Sequence, residues 1–189
     1  MKESNVSLPE GGLVYEAELP LEWQTVDHEP AASRIVRMDE NNEELLRFIA
    51  VLEEHNAGAQ NEELVGNVQA FERVEYKINL LLDMVAHILK RHMELPEPVM
   101  IRLSASTIYW QALHPPAVGA HLLLKLYLNP KYPQPLRLTG VVNEAPYSPG
   151  GFNSFVSIEN MGEAVQSWLE KLIFRQHRRA VAHARQHKT

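Results

Sequence analysis

The chain has 189 residues, of which 45% are hydrophobic and 22% charged, a balance that suits one buried domain with an appendage. It contains no cysteine, which excludes disulfides, thiolate metal sites and a cysteine nucleophile. The N-terminal segment lacks an apolar stretch of signal-peptide length, and the most apolar run, 78–89, is too short to span a bilayer. We therefore expect a cytoplasmic protein without membrane insertion.

The net charge of −6 is distributed unevenly along the chain. Residues 1–63 hold 15 acidic and 4 basic side chains, whereas residues 171–189 hold 6 basic and no acidic ones. The acidic total argues against nucleic-acid binding. We expect the basic C-terminal segment to contact an acidic surface, on a partner protein or on another subunit.

The N-terminal part predicts strands followed by a helix. Residues 12–27 alternate between apolar and polar positions, as one or two strands of a sheet do. Asp39, Asn41 or Asn42 is expected to cap a helix that ends near Gly58. The predicted apolar face of this helix consists of Leu45, Phe48, Ile49 and Leu52.

A second helix, from about residue 62 to residue 92, carries an unbroken heptad pattern. Its apolar residues alternate spacings of three and four, with Leu82 widening the stripe: Phe71, Val74, Ile78, Leu81, Val85 and Ile88. Such a seam packs on other helices, and β-branched residues at its d positions favour three or four strands. We expect this coiled-coil stripe to form an oligomer interface. The alternative is an amphipathic helix lying on its own domain.

After Pro98 the sequence consists of short alternating segments separated by turns, which is typical of a small antiparallel barrel. In HLLLKLYLN the alternation leaves His121, Lys125 and Tyr127 outside the barrel. The residues predicted to point inward are Leu122, Leu124, Leu126 and Leu128. The main barrel strands therefore occupy 98–159, and the helices from 39 to 93 form an insertion.

A C-terminal helix is predicted over 162–186, and its apolar face should close one end of the barrel. That face consists of Val165, Trp168, Leu169, Leu172 and Ile173. An enzyme would need converging acids, bases or nucleophiles, yet the barrel region holds only two carboxylates and two histidines. We therefore expect neither catalysis nor a metal site.

The order of these elements, together with RLSASTIYW, LKLYLNPKYPQPLRLTG and WLEKLIFRQHRRAVAHAR, resembles the PilZ family of bacterial cyclic di-GMP receptors. The likeness is greatest to the atypical, oligomeric branch with a heptad-repeat insertion. It implies an α+β fold over 1–189 as a single domain, with a six-stranded antiparallel barrel, an inserted helical hairpin and a C-terminal helix. It also implies a role in cyclic di-GMP signalling.

The resemblance implies two nucleotide-binding signatures, an RxxxR arm before the barrel and a D/N-x-S-x-x-G turn, and this chain departs from both. The turn falls on residues 102–107, where only Ser104 matches; Arg102 replaces the acid or amide, and Thr107 replaces the glycine. The first arginine of the chain is Arg34, and Arg37 follows one residue too closely for the arm.

We therefore expect a non-catalytic, homo-oligomeric protein with a degraded nucleotide site, which acts through contacts with a signalling protein. A tetramer is favoured over a trimer or dimer. It needs no cofactor, and cyclic di-GMP would be a weak ligand at most. One alternative is a true receptor that rebuilds its site from candidate residues Arg102, Ser104, Arg175, Arg178 and Arg179. Another is a purely structural oligomerisation module.

Overall fold

The structure is a computed structural model that describes residues 13–27, 30–58, 94–129, 132, 134–145 and 151–186, without the side chains of 54–58 and 183–186. It also describes eight single positions of the heptad segment, all of them helical: Val74, Lys77, Ile78, Leu80, Leu81, Met84, Val85 and Ile88.

Six strands and two long helices make up the rest of the described fold. The strands are β1 (Tyr15–Thr25), β2 (Pro98–Leu103), β3 (Thr107–Trp110), β4 (His121–Leu126), β5 (Leu136–Asn143) and β6 (Ser154–Glu159). The helices are α1 (Ala32–Gly58) and α2 (Glu163–Gln186).

The strands form a closed antiparallel barrel in the order β1-β2-β3-β6-β5-β4. β1 closes it by pairing with two strands in succession. Its first half, Tyr15–Pro20, pairs with β2, and its second half, Leu21–Thr25, pairs with β4. The prediction of a six-stranded barrel in an α+β fold is confirmed.

The barrel interior is filled by the alternate apolar residues of its strands. Leu122, Leu124 and Leu126 are completely buried, as their inward alternation predicted, and Leu128 is partly buried against the same core. Tyr127 was predicted to lie outside; it follows the end of β4 and is buried. Its amide instead donates to the carbonyl of Pro20, which extends the β1–β4 contact.

Helix α1 begins at Ala32, earlier than the predicted caps at Asp39, Asn41 or Asn42, and ends at Gly58 as expected. The predicted cap residues lie inside the helix, where two of them serve other elements. Asp39 accepts a hydrogen bond from the amide of Gly162 just before α2, and Asn42 binds the backbone of β5. Side chains that cap helices locally can satisfy distant backbone groups equally well.

The apolar face of α1 is also displaced from the predicted one. Leu45 and Ile49 are buried, but Phe48 remains 38% exposed, with its ring edge-on to Tyr132 at a centroid distance of 5.2 Å. Leu46 is buried in its place, with 1% of its surface exposed. The helix therefore faces the core along a stripe rotated toward Leu46.

Helix α2 packs against α1 and β1 and buries the apolar face that the sequence predicted. Val165, Leu169, Leu172 and Ile173 share one core cluster with the inward barrel residues, and Trp168 is partly buried against it. In the described part of the chain, neither helix is long and apolar enough to cross a membrane.

Candidate functional site

The turn between β2 and β3 occupies the position of the second PilZ signature and is held by Ser104. Its hydroxyl oxygen accepts hydrogen bonds from the amides of Ser106 at 3.2 Å and Thr107 at 2.9 Å, and lies 2.7 Å from the hydroxyl of Thr107. The amide of Ser104 donates to the carbonyl of Thr107, also at 2.9 Å. In this structure the signature serine stabilises its own turn.

Arg102 lies on the outer face of β2 and is held by two neighbours. Its Nε and one terminal nitrogen each lie 2.6 Å from Oε1 of Glu16, the residue opposite it on β1. Its guanidinium also lies 5.0 Å from the ring centroid of Phe152. The side chain is 24% exposed, so most of its surface contacts protein and not solvent.

An aromatic cluster continues from Arg102 around the outside of the barrel. Tyr109 lies opposite Arg102 on β3, stacks on Phe155 of β6 at 4.4 Å and meets Phe152 edge-on at 6.5 Å. Its hydroxyl is buried and has no hydrogen-bond partner among the described residues. Burial raises the pKa of this phenol, although the positive charge of Arg102 acts against the shift.

A second cluster gathers arginines of α2 around one carboxylate of α1. Arg175 Nε lies 3.4 Å and Arg179 Nη1 lies 3.2 Å from the carboxylate oxygens of Glu53, which also accepts a hydrogen bond from Gln176. Only 13% of the Glu53 side chain is exposed. Burial raises the pKa of the adjacent Tyr15, and the charge of Glu53 adds to the shift. We expected the basic C-terminal segment to contact an acidic surface on another molecule. At Arg175 and Arg179, the acidic partner belongs instead to α1 of the same chain.

The predicted nucleotide-binding arginines thus fall into separate groups. Arg102 contacts Glu16 on the barrel wall, whereas Arg175 and Arg179 contact Glu53 between the helices. Arg178 lies 5.8 Å from the ring centroid of Phe174, one helical turn away on α2. Among the contacts of the described residues, none joins Arg102 to the arginines of α2.

Sequence reasoning missed a third group, which is basic and lines a cavity of about 540 Å³ between α1 and the barrel. Its charged residues are Arg34, Arg37, Lys125 and Arg137. The two strand residues lie opposite each other in the β4–β5 pairing. Alternation along the strands could have placed both outside the barrel, but only the tertiary packing of α1 brings the four together.

The heptad positions that the structure describes are exposed in the single chain. Val74, Ile78, Leu81, Val85 and Ile88 are helical, with exposed fractions between 51% and 60%. The remaining two residues of the predicted oligomer interface, Phe71 and Leu82, lie outside the described residues.

Comparisons with known proteins agree with this architecture. Residues 46–186 match the model of the family described as atypical PilZ domain, cyclic di-GMP receptor, which is a receptor family with no catalytic indication. Among curated proteins, none matches the chain significantly. One similar solved structure, from Xanthomonas campestris, is described as a tetrameric PilZ domain self-assembled through a helical bundle. The likeness has a TM-score of 0.70 at 23% identity and covers 92% of each chain. Because the family model spans most of the sequence, the chain belongs to the atypical PilZ domain family.

Proposed function

We propose that this protein is a non-catalytic, oligomeric component of cyclic di-GMP signalling whose own nucleotide site is degraded and which acts through protein contacts. The observation that carries the proposal is the state of the signature turn. Arg102 is engaged by Glu16 and Phe152, and the hydroxyl of Ser104 is engaged by its own turn. A nucleotide would have to replace these contacts before it gained any of its own.

The missing arginine arm weakens nucleotide binding further. Charged hydrogen bonds contribute about 1.5 to 3 kcal/mol each, so two absent arginines lower the affinity by a factor on the order of 10² to 10⁴. Thr107 stands at the position where the family signature has glycine. A glycine there can adopt a positive φ, whereas a β-branched residue does so only at a cost in free energy. This combination supports very weak binding at this site.

The exposed stripe on the heptad segment supports oligomerisation. Five apolar side chains, each about half exposed, recur at helical spacing, and a contiguous apolar surface of this kind is typical of an interface. The similar structure from Xanthomonas campestris assembles as a tetramer. We take a tetramer as the first choice for this chain and a trimer or dimer as the second.

Two other functions make different predictions. A receptor rebuilt from Arg102, Arg175, Arg178 and Arg179 would bind cyclic di-GMP tightly, but it would need those arginines to leave Glu16 and Glu53. A structural module would form the same oligomer and recover no signalling protein. Recovery of a specific partner by the oligomer, with no tight nucleotide binding, distinguishes the proposed function from both.

Calorimetric titration with cyclic di-GMP tests the nucleotide part of the proposal. We expect no dissociation constant below tens of micromolar for the unmodified protein. The matched variants are Arg102→Ala, at the signature turn, and Arg47→Ala, an exposed arginine paired with Glu43 on α1. A submicromolar constant that Arg102→Ala abolishes and Arg47→Ala leaves intact would replace the proposal with the receptor alternative.

A further inference from the structure

We infer that the basic cavity between α1 and the β4–β5 wall is a second ligand site, which binds a small molecule carrying a diphosphate group. It is open to solvent, since four of its described lining residues, Gln24, Arg34, Arg37 and Asn41, are exposed. Its volume of about 540 Å³ lies within the range of small-molecule sites. Among the residues that the structure describes, four cationic side chains and no acidic one line it. The polar and apolar remainder of the described lining is Gln24, Met38, Asn41 and Leu123. A site of this charge selects anions.

Acidic side chains of the described residues compensate only one of the four charges of the cavity. Lys125 pairs with Glu22 on β1 at 3.1 Å, outside the set of lining residues. Arg34, Arg37 and Arg137 form no ion pair with any acid in the described parts of the chain. Within the described structure these three guanidiniums line one space without a carboxylate partner, and a ligand with two or more negative charges would relieve their mutual repulsion. Guanidiniums also bind phosphate oxygens in bidentate fashion.

The position of the arginines on α1 strengthens the same electrostatic preference. Arg34 lies in the first turn of the helix and Arg37 three residues later, so both lie on the same side of α1. The N-terminus of a helix is its positive end, where cationic residues are unfavourable and anions are favourable. The first turn of α1 contains no acidic residue that would offset this potential.

Two hydrogen bonds join α1 to β5 beside the cavity. The amide nitrogen of the Asn42 side chain donates to the carbonyl of Arg137 at 2.6 Å, and its oxygen accepts from the amide of Arg137 at 2.9 Å. Asn42 is 2% exposed, and Met38 and Leu123 in the cavity lining are also buried. These contacts link α1 directly to β5, so the two elements that carry the three arginines of the cavity are held next to each other.

This site is separate from the signature turn. In the closed barrel, β1 and β6 each lie between the β2–β3 pair and the β4–β5 pair, so the two pairs form opposite walls. The signature turn joins β2 to β3, whereas the two basic cavity residues of the sheet, Lys125 and Arg137, belong to the other wall. A negative result for diphosphate binding would therefore leave the proposed function standing. A negative result for the proposed function would likewise leave the diphosphate site standing.

Calorimetric titration with inorganic pyrophosphate and with GDP tests the inference on the full chain. We expect binding in the micromolar range, weakened about 10- to 100-fold by Arg34→Gln or Arg137→Gln, because each removes one charged hydrogen-bonding group. The control is Arg47→Gln, which removes an arginine of the same helix outside the cavity and should leave binding unchanged. Thermal unfolding establishes that each variant is folded.

The two probes separate the possible sources of the diphosphate group. Equal affinity for both ligands indicates that the cavity reads the phosphates alone, and tighter binding of GDP indicates a nucleotide ligand. Absence of binding by both probes at millimolar concentration would overturn the inference. So would binding that persists unchanged in Arg34→Gln, a variant of an exposed side chain that is expected to fold normally.

Discussion

Replacing Ile78 and Leu81 together with aspartate should convert the protein from an oligomer to a monomer. Both residues are helical and lie in the apolar stripe, with exposed fractions of 51% and 60% in the single chain. Full burial of such a side chain contributes about 1.5 to 3 kcal/mol, so burial of the exposed half in an interface contributes about 1 kcal/mol per residue.

The introduced carboxylates weaken the interface more than the loss of apolar burial does. Burying an unpaired carboxylate in an apolar interface costs several kcal/mol, so the double variant loses at least about 6 kcal/mol of association free energy per chain. This loss corresponds to a factor on the order of 10⁴ in the association constant. An oligomer that is stable at micromolar concentration would then dissociate almost completely.

Light scattering coupled to size exclusion measures the outcome directly. The measured mass of the unmodified protein should be about four times the single-chain mass of 21.5 kDa, and that of the double variant should be 21.5 kDa. Leu80→Asp is the matched control, because it places the same charge on the same helical segment but outside the seam positions. A monomeric unmodified protein would refute the reasoning, as would a double variant of unchanged size. Dissociation by Leu80→Asp would show that charge alone, rather than the seam, determines assembly.

Two further predictions concern the polar side chains of α1. Burial raises the pKa of Asp39, so its charged form costs stability at neutral pH, and the cost disappears as the pH falls through that pKa. Asp39→Asn keeps an acceptor for the amide of Gly162 and should be at least as stable as the unmodified protein at pH 7. Denaturant unfolding should show that this stability advantage shrinks toward about pH 3. An advantage that grows as the pH falls would contradict the raised pKa of Asp39. Asn42→Ala leaves both buried backbone groups of Arg137 unpaired and should lower the free energy of unfolding by about 2 to 4 kcal/mol, against little change for the exposed neighbour Asn41→Ala. Equal losses in these two variants would show that the hydrogen bonds to β5 contribute little.

Much of the fold could be predicted because its pattern is local. Alternation marked the barrel strands and the inward residues Leu122, Leu124 and Leu126, and helical periodicity marked the buried face of α2. The start of α1 could not be found in this way, because Asp39 and Asn42 resemble caps in sequence, whereas their true partners are Gly162, just before α2, and the backbone of β5.

The arrangement of the basic side chains depended on information that no single segment contains. The sequence identified Arg102 as a candidate nucleotide-binding residue, but only the register of β1 shows that Glu16 lies beside it. Arg175 and Arg179 looked available to a partner until α1 presented Glu53 between them. Each pairing joins residues that are far apart in sequence, so composition and spacing along one element cannot reveal it.

The double pairing of β1 imposes an order on the folding of the nascent chain. Both of its strand partners, β2 and β4, are synthesised only after the whole helical insertion has emerged, so the first strand must wait unpaired. The barrel consequently has a high contact order and should fold slowly. The heptad segment, by contrast, is synthesised before β2, and the backbone hydrogen bonds of a helix are local; packing against another helix would supply the rest of its stability. If the proposed oligomer forms through this segment, its helices are available for association before any of the barrels has closed.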